Sequence, residues 1–225
     1  MKKQLIIVEG KEDAIVIGTL VKNEGLMAID FPERIEKRGL LPVIQGRNYE
    51  GVSTLLDHLE ADLKVDLKAG YSDIAIVLDV DTNIQSQWEA VKNRLLKLDF
   101  DVPDHPNTEG VLVFHKTDDS LKIGVWLMPD NSLNGMLEDF VKMLVPETDL
   151  MLEKATKIVK DIKDEIAETN RFKDVHIAKA EIHTWLAWQE DPGSPMGQAL
   201  TKKYLSTDTE VCKRFLMWLK AVFLT

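Results

Sequence analysis

The chain has almost no cysteine, and that scarcity removes several kinds of protein at once. Cys212 is the single thiol in 225 residues, so neither an internal disulfide nor a multi-cysteine zinc site can form, and its amphipathic setting predicts a small core residue. The five histidines make no HExxH pattern, and His176 with His183, on one face of an expected helix, lack companion ligands, so zinc is not expected. No apolar run approaches the roughly 20 residues of a membrane span. The N-terminus enters a strand at once instead of a charged, apolar, cleavable leader, so the expectation is a cytoplasmic protein without membrane association. A GxxxxGK[ST] loop is also missing. The nearest approach, Gly46 to Gly51, has no Lys-Ser or Lys-Thr after it, which excludes a P-loop ATPase. Positive charge is scarce too: 28 Lys and Arg face 38 Asp and Glu, for a net charge of −10. Tight unaided binding of nucleic acid calls for a basic surface, because phosphate neutralisation and counterion release dominate affinity. A nucleic-acid substrate would therefore need a local basic rim or a second protein to hold it.

What the chain does have is an ordinary globular balance, 44% hydrophobic and 29% charged, and enough length for a sizeable α/β domain with an accessory segment. Two apolar runs stand out. LIIVEGKED places Glu9 at the tip of one strand, and DIAIVLDVD ends a second strand in Asp79 and Asp81. Both are unbroken blocks of Ile, Val, Leu and Ala rather than alternating patterns, which predicts fully buried parallel strands that can lie side by side. In open α/β sheets ligands collect beyond the carboxyl ends of the strands, where these three acids fall. An extended backbone would point Asp79 and Asp81 to one side. Two carboxylates about 4 Å apart repel by roughly 1 kcal/mol in water and about 4 kcal/mol at an effective dielectric near 20, so a close cluster needs compensation. Hard oxygen ligands suit Mg²⁺ or Mn²⁺. The plainer alternative is that the aspartates merely end a strand, with Asp81, Thr82 or Asn83 capping the helix expected near Ile84. A lone DxD favours that alternative; the pair of motifs together favours a metal.

The remaining pattern predicts strands over Gln4–Val8, Leu41–Gln45, Ile74–Leu78, Val111–Phe114 and Ile123–Met128. Between and after them, helices are expected over Glu12–Lys22, Gly51–Lys64, Gln85–Leu98 and Gly135–Val145, with a loop from Asp99 to Gly110. Such alternation indicates a parallel α/β sheet flanked by helices. After Pro146 strand signals vanish. Met151, Ala155, Ile158, Ile162 and Ile166 predict an amphipathic helix with one buried stripe. A second helix is expected from Val175 to Gln189, broken by DPGSPMG, and a last one from Thr209 burying Val211, Phe215, Trp218, Leu219 and Val222. The expected division is an α/β domain over 1–145 and a helical extension over 146–225 packed on it.

VEGKED followed by LDVD resembles the Toprim domain shared by type IA and II topoisomerases, bacterial primases, small maturation ribonucleases and the overcoming-lysogenization-defect (OLD) nucleases. More narrowly, IIVEGKEDA, VLDVDT, GVWLMPDN, GMLEDF and KAEIHTWLAWQEDPGSPMGQAL resemble a family of small standalone Toprim-like proteins, over almost the full chain. The resemblance implies a four-stranded parallel core with Mg²⁺ or Mn²⁺, one or two ions, at its carboxyl edge. Glu9 matches the Toprim glutamate, as a ligand or proton-transfer residue, and Asp79 and Asp81 match the DxD pair. A two-metal site needs more carboxylates than three. Asp13 is a candidate one helical turn past Glu9, as are Asp130 after an apolar strand and Glu138 at the start of a helix beside it. Each also has a plainer role: a helix N-terminal acid, a turn residue of PDN, a solvated helix position. Lys179 resembles a lysine that some Toprim nucleases supply from a late helix to stabilise charge on a phosphate, and Lys11 sits next to Glu9 as a phosphate contact; both could equally be solvated lysines. DVDTNIQ lacks the glycine that many Toprim members carry after DxD, which argues against primases and topoisomerases.

The resemblance implies a Mg²⁺-dependent nuclease hydrolysing DNA or RNA, the effector partner of an ABC-type or OLD-like ATPase in phage defence. A non-catalytic metal-binding module that docks such an ATPase is a second expectation. A ribonuclease maturing structured RNA is a third.

Overall fold

The two unbroken apolar runs form the centre of one sheet. The computed structural model of the chain describes residues 2–31, 43–165 and 171–224. Among these residues six strands, β1 (Lys3–Val8), β2 (Ala28–Asp30), β3 (Val43–Asn48), β4 (Tyr71–Asp79), β5 (Val111–His115) and β6 (Asp118–Met128), lie in the order β2-β3-β1-β4-β6-β5. β1 pairs in parallel with β4, Val8 opposite Val77, so the strands leading to Glu9 and to Asp79 are neighbours. Eight helices are described: α1 (Lys11–Asn23), α2 (Val52–Lys68), α3 (Ile84–Leu96), α4 (Leu137–Lys142), α5 (Leu150–Glu165), α6 (Ile177–Leu186), α7 (Met196–Thr201) and α8 (Glu210–Phe223). The protein is thus α/β, with a mostly parallel sheet between helical layers.

Both faces are covered because successive side chains of a strand point to opposite sides. Leu5, Ile7, Ile74, Ile76 and Leu78 pack on one side with Leu55, Leu59 and Leu63 of α2 and Trp88, Val91 and Leu95 of α3. Ile6, Val8, Ala75, Val77 and Trp126 pack on the other with residues of α1, α4, α6, α7 and α8. The 146–225 segment therefore completes the core on this second face. Phe215, Trp218, Leu219 and Val222 of α8 are buried there, as the sequence predicts, and Cys212 is fully buried beside them; burial pushes its thiol up to about 12. Trp218 lies over Gly124, where any Cβ would strike Val222 and Trp218, and its Nε1 donates to the Val111 carbonyl at 3.0 Å. The last carbonyls of α8 accept from the Gln4 amide (Phe223 O, 2.7 Å) and from Lys122 Nζ (Ala221 O, 3.1 Å). Orphan helix-end acceptors are thereby satisfied, and the chain's two ends are tied together.

Several expectations are corrected. Among the described residues the sheet has five parallel strands and one antiparallel strand, where the resemblance implies a core of four parallel ones. β5 runs antiparallel to β6 because only Lys116 and Thr117 join them, too few residues for a parallel crossover. β2 is three residues long, and α7 six; elements so short leave little periodicity to read. Of the strand expected over 41–45, positions 41 and 42 lie outside the described residues, as does Ile166 of the expected amphipathic stripe. Along α5 the buried positions are Ala155 and Val159, while Ile158 and Ile162 are 42% and 38% exposed. Among the described residues α5 packs mainly on α6, so the face it buries is narrower than the expected stripe and turned from it.

Candidate functional site

Glu9 directly follows β1 and Asp79 ends β4. Across the strand pair, Glu9 Oε2 accepts from the Asp79 backbone N–H at 3.2 Å. Three helix starts point at the same place. The amide of Leu137, first residue of α4, donates to Asp79 Oδ1 at 2.9 Å. The amide of Val52, first residue of α2, also bonds the Glu9 carboxylate, and Gly51 N–H donates to the Glu9 carbonyl at 3.3 Å. At the head of α1, Asp13 Oδ2 accepts from Gly10 N–H at 3.1 Å. Helix N-termini carry partial positive charge and unpaired amides, and this offsets part of the repulsion among the carboxylates.

The offset is incomplete. Asp13 is buried and its carboxyl is pushed up to about 7, first by loss of water and then by the charge of Glu9. Asp79 is raised well above the usual carboxylate range by burial and by the charges of Asp13, Glu9 and Glu138. Glu9 is raised by burial too, against the Asp79 amide that holds it down, with Asp81 and Glu138 adding to the rise. Glu138, second residue of α4 and 5% exposed, meets Lys179 Nζ of α6 at 3.2 Å. Five of the acids expected from sequence, Glu9, Asp13, Asp79, Asp81 and Glu138, thus share one electrostatic neighbourhood, with Lys179 at its edge.

Asp81 occupies a different position from the one expected. Its φ is +58°, so the chain leaves the extended form after Asp79, and strand alternation does not set the directions of the two aspartates. The bend is held by Gly135, whose carbonyl accepts from Val80 N–H (3.1 Å) and Asp81 N–H (2.8 Å). Solvent reaches Asp81, yet partial loss of water raises its carboxyl, with His176 opposing and Glu138 assisting. Asn83 is the residue that caps α3, its side chain accepting from Ser86 N–H at 2.8 Å, so the DxD aspartates do not perform that task. Asp130 is engaged in its own turn: its carboxylate accepts from Ser132 N–H and Oγ and from Leu133 N–H, and Arg214 stands 3.9 Å away. That is its plainer reading. Lys11 opens α1 and lines a cavity between α1 and α7. Sequence reasoning weighed His176 for zinc alone and not as the neighbour of Asp81, and it missed the Leu137 amide and Gln87, whose side chain donates to the Asp79 carbonyl at 2.9 Å.

Among the described residues no group of three or more Asp, Glu, His or Cys side chains is placed so that it could hold a metal ion; Glu9, Asp13 and Asp79 accept from backbone amides instead. Yet Asp13 Oδ1 is buried without a hydrogen-bond partner. A buried unsatisfied carboxylate oxygen costs free energy. Oxygen donors of this kind are those that a hard divalent cation takes, and Glu9, Asp13, Asp79 and Glu138, which act on one another electrostatically, are the residues that would have to turn toward one to hold it.

Fold and site define an α/β protein with buried acids at the carboxyl edge of a parallel sheet. The chain belongs to the DUF3226 family of proteins of unknown function, whose model matches residues 3–224. No curated protein and no solved structure matches it. No described helix is long and apolar enough to cross a membrane.

Proposed function

We propose that the protein is a Mg²⁺-dependent phosphodiesterase of the Toprim type that hydrolyses nucleic acid. The observation that carries this reading is the Glu9–Asp79 contact across adjacent strand ends, with Asp13 and Glu138 buried beside it and one Asp13 oxygen unpartnered. A bound divalent cation would supply Lewis-acid polarisation of a phosphoryl oxygen and neutralise part of the carboxylate charge. Glu9, whose proton affinity is raised, is suited to take a proton at its carboxylate from the attacking water. Lys179, ion-paired with Glu138 and half exposed, is positioned to meet charge building on the phosphate. The net charge of −10 fits a chain that borrows its grip on nucleic acid from a partner; that this partner is an ABC-type or OLD-like ATPase in phage defence is suggested by the resemblance of VEGKED and LDVD to Toprim proteins, not by the charge.

The test is cleavage of single-stranded DNA, duplex DNA and structured RNA with Mg²⁺ or Mn²⁺, alone and with a co-expressed ATPase. Glu9→Gln and Asp79→Asn should each abolish cleavage while the fold persists; unchanged rates in both would overturn the reading. The RNA arm separates a maturation ribonuclease from a DNA nuclease. Exposure of Leu150, Ile158 and Ile162 along α5 favours a second reading, a non-catalytic module docking a partner. Cation-dependent stabilisation with no cleavage, with or without the ATPase, would select it.

A further inference from the structure

Glu138 does not exhaust the stretch GMLEDF. Residues 134–139, which follow β6, grip the turn between β4 and α3 through four hydrogen bonds. The Leu137 amide donates to Asp79 Oδ1 at 2.9 Å. A single carbonyl, that of Gly135, accepts from both Val80 N–H (3.1 Å) and Asp81 N–H (2.8 Å). At the far end of the turn, Asn134 Oδ1 accepts from the amide of Ile84, first residue of α3, at 3.0 Å. Both aspartates of LDVD and the helix start that follows them are thus fitted to one strip of chain. That strip is itself fastened at Asp139. The Asp139 carboxylate reaches back to accept from Met136 N–H at 3.1 Å, while Asp139 N–H donates to the Met136 carbonyl at 3.0 Å. Gly135 has φ +143°, and a Cβ there would lie 2.6 Å from Asp139 Oδ2. Only glycine lets the carboxylate close over the strip while the carbonyl faces Val80 and Asp81.

A hydrogen-bond donor behind a carboxylate sets the direction of its oxygens, and losing such a partner weakens metal affinity about 10–100-fold although the partner never touches the ion. Strand alternation does not set the relation of Asp79 to Asp81, because Asp81 has φ +58°. The Leu137 amide and the Gly135 carbonyl set it instead. We infer that Asp139, packed against Gly135, is a positioning residue of the acidic site: by fastening the 134–137 strip it fixes where Asp79 and Asp81 stand for a divalent cation. It acts through the main chain of the strip and through the two aspartates, not as a ligand. The inference rests on the cation site of the proposed function and is indifferent to which phosphodiester is cut. A plain helix cap would behave otherwise, since its loss would loosen the start of α4 without changing cation affinity.

Amide hydrogen exchange followed by NMR in EDTA reads the strip with no cation present. Asp139→Ala should speed exchange at Val80, Asp81 and Leu137 by about tenfold or more, while Ile7 and Ile76 in the buried strands keep their wild-type rates. Mn²⁺ binding, read by electron paramagnetic resonance at pH 8, should weaken by about tenfold or more in the same variant. Asp139→Asn keeps an oxygen for the Met136 amide and should return both readouts close to the wild-type values. Asn134→Ala, at an exposed position, releases the strip from Ile84; exchange should quicken at Val80 and Asp81 as well as at Ile84, and Mn²⁺ affinity should fall. Unchanged exchange or wild-type Mn²⁺ affinity in Asp139→Ala, Asp139→Asn as defective as Asp139→Ala, or faster exchange at Ile84 alone in Asn134→Ala would each overturn the inference by itself. A wild type that binds Mn²⁺ but cleaves no nucleic acid would overturn the nuclease reading alone. A wild type that binds no Mn²⁺ would overturn the cation site and the role of Asp139 with it.

Discussion

Asp13→Asn should stabilise the cation-free protein at pH 8, although it alters a buried, hydrogen-bonded residue. The Asp13 carboxyl is raised from an ordinary 3.8 to about 7 in the folded state. A folded-state value above the unfolded one means that the native protein binds more protons between those two pH values, so stability is highest below about 4 and falls as pH rises through 7. A shift of this size corresponds to about 4 kcal/mol lost by pH 8, a figure that belongs to the coupled set of Asp13, Glu9 and Asp79 rather than to one residue. Asparagine keeps the shape and an oxygen for the Gly10 amide at 3.1 Å but carries no charge. Its NH₂ also gives the unpartnered Oδ1 position a donor facing acids. The expected gain is about 2 kcal/mol or more at pH 8, which for a chain of this size raises the melting temperature by about 4–8 °C. At pH 5, between the two values, only a little over a third of that loss has accrued, so the gain should shrink by more than half, and it should vanish only below about pH 4. Urea denaturation in EDTA at the two pH values measures both numbers. A variant no more stable than wild type at pH 8, or equally stabilised at pH 5, would show that the acids do not repel one another as described.

Three other outcomes follow from the same contacts. Millimolar Mg²⁺ or Mn²⁺ at pH 8 should raise the melting temperature of the wild-type chain by several degrees, as expected for a ligand that binds only the native state, and Asp79→Asn should remove the rise; differential scanning fluorimetry reads both. Lys179→Met should lower cleavage by about 100-fold, the size of a lost charge-stabilising contact, while leaving the cation-induced thermal shift in place, because Lys179 is half exposed and meets Glu138 through one carboxylate oxygen. Gly124→Val should destabilise the protein by about 3 kcal/mol or prevent folding, since its Cβ would collide with Val222 and come within 3.0 Å of Trp218 in a packed core; loss of soluble expression or a lowered urea midpoint checks it.

The buried strands and the helices around them were legible because their signals are local. The continuous runs through Ile7 and Ile76 announce strands covered on both faces, and α8 announces its buried face by the spacing of Phe215, Trp218, Leu219 and Val222. The grouping of Glu9 with Asp79 was legible for the same reason, because parallel neighbours bring their carboxyl ends to one edge. What sequence did not disclose depends on contacts between distant segments. Nothing in DVDTN announces that Asp81 adopts a positive φ, because the bend is held by a carbonyl at Gly135. Asp130 looks like an acid at a strand end and is one, but Ser132 and Leu133 engage it first. The α5 stripe is misplaced because helical spacing gives a face and not its neighbour.

The C-terminal segment is more than a cover for the sheet. α6 brings Lys179 to Glu138, and α7 walls the cavity against α1. Lys142 of α4 pairs with the buried Glu181 of α6, one turn away from Asp139. α4 supplies the Leu137 amide to Asp79 and is thus joined to the helical segment by two ion pairs, one at each end. Two ion pairs and one hydrogen bond thus connect α6, through α4, to the amide that donates to Asp79. If the proposed ATPase docks on the α5–α6 layer and acts through these contacts, Lys142→Met should lower its stimulation of cleavage while the cation-induced thermal shift stays in place; unchanged stimulation in a cleavage assay with the ATPase would show that they carry no coupling.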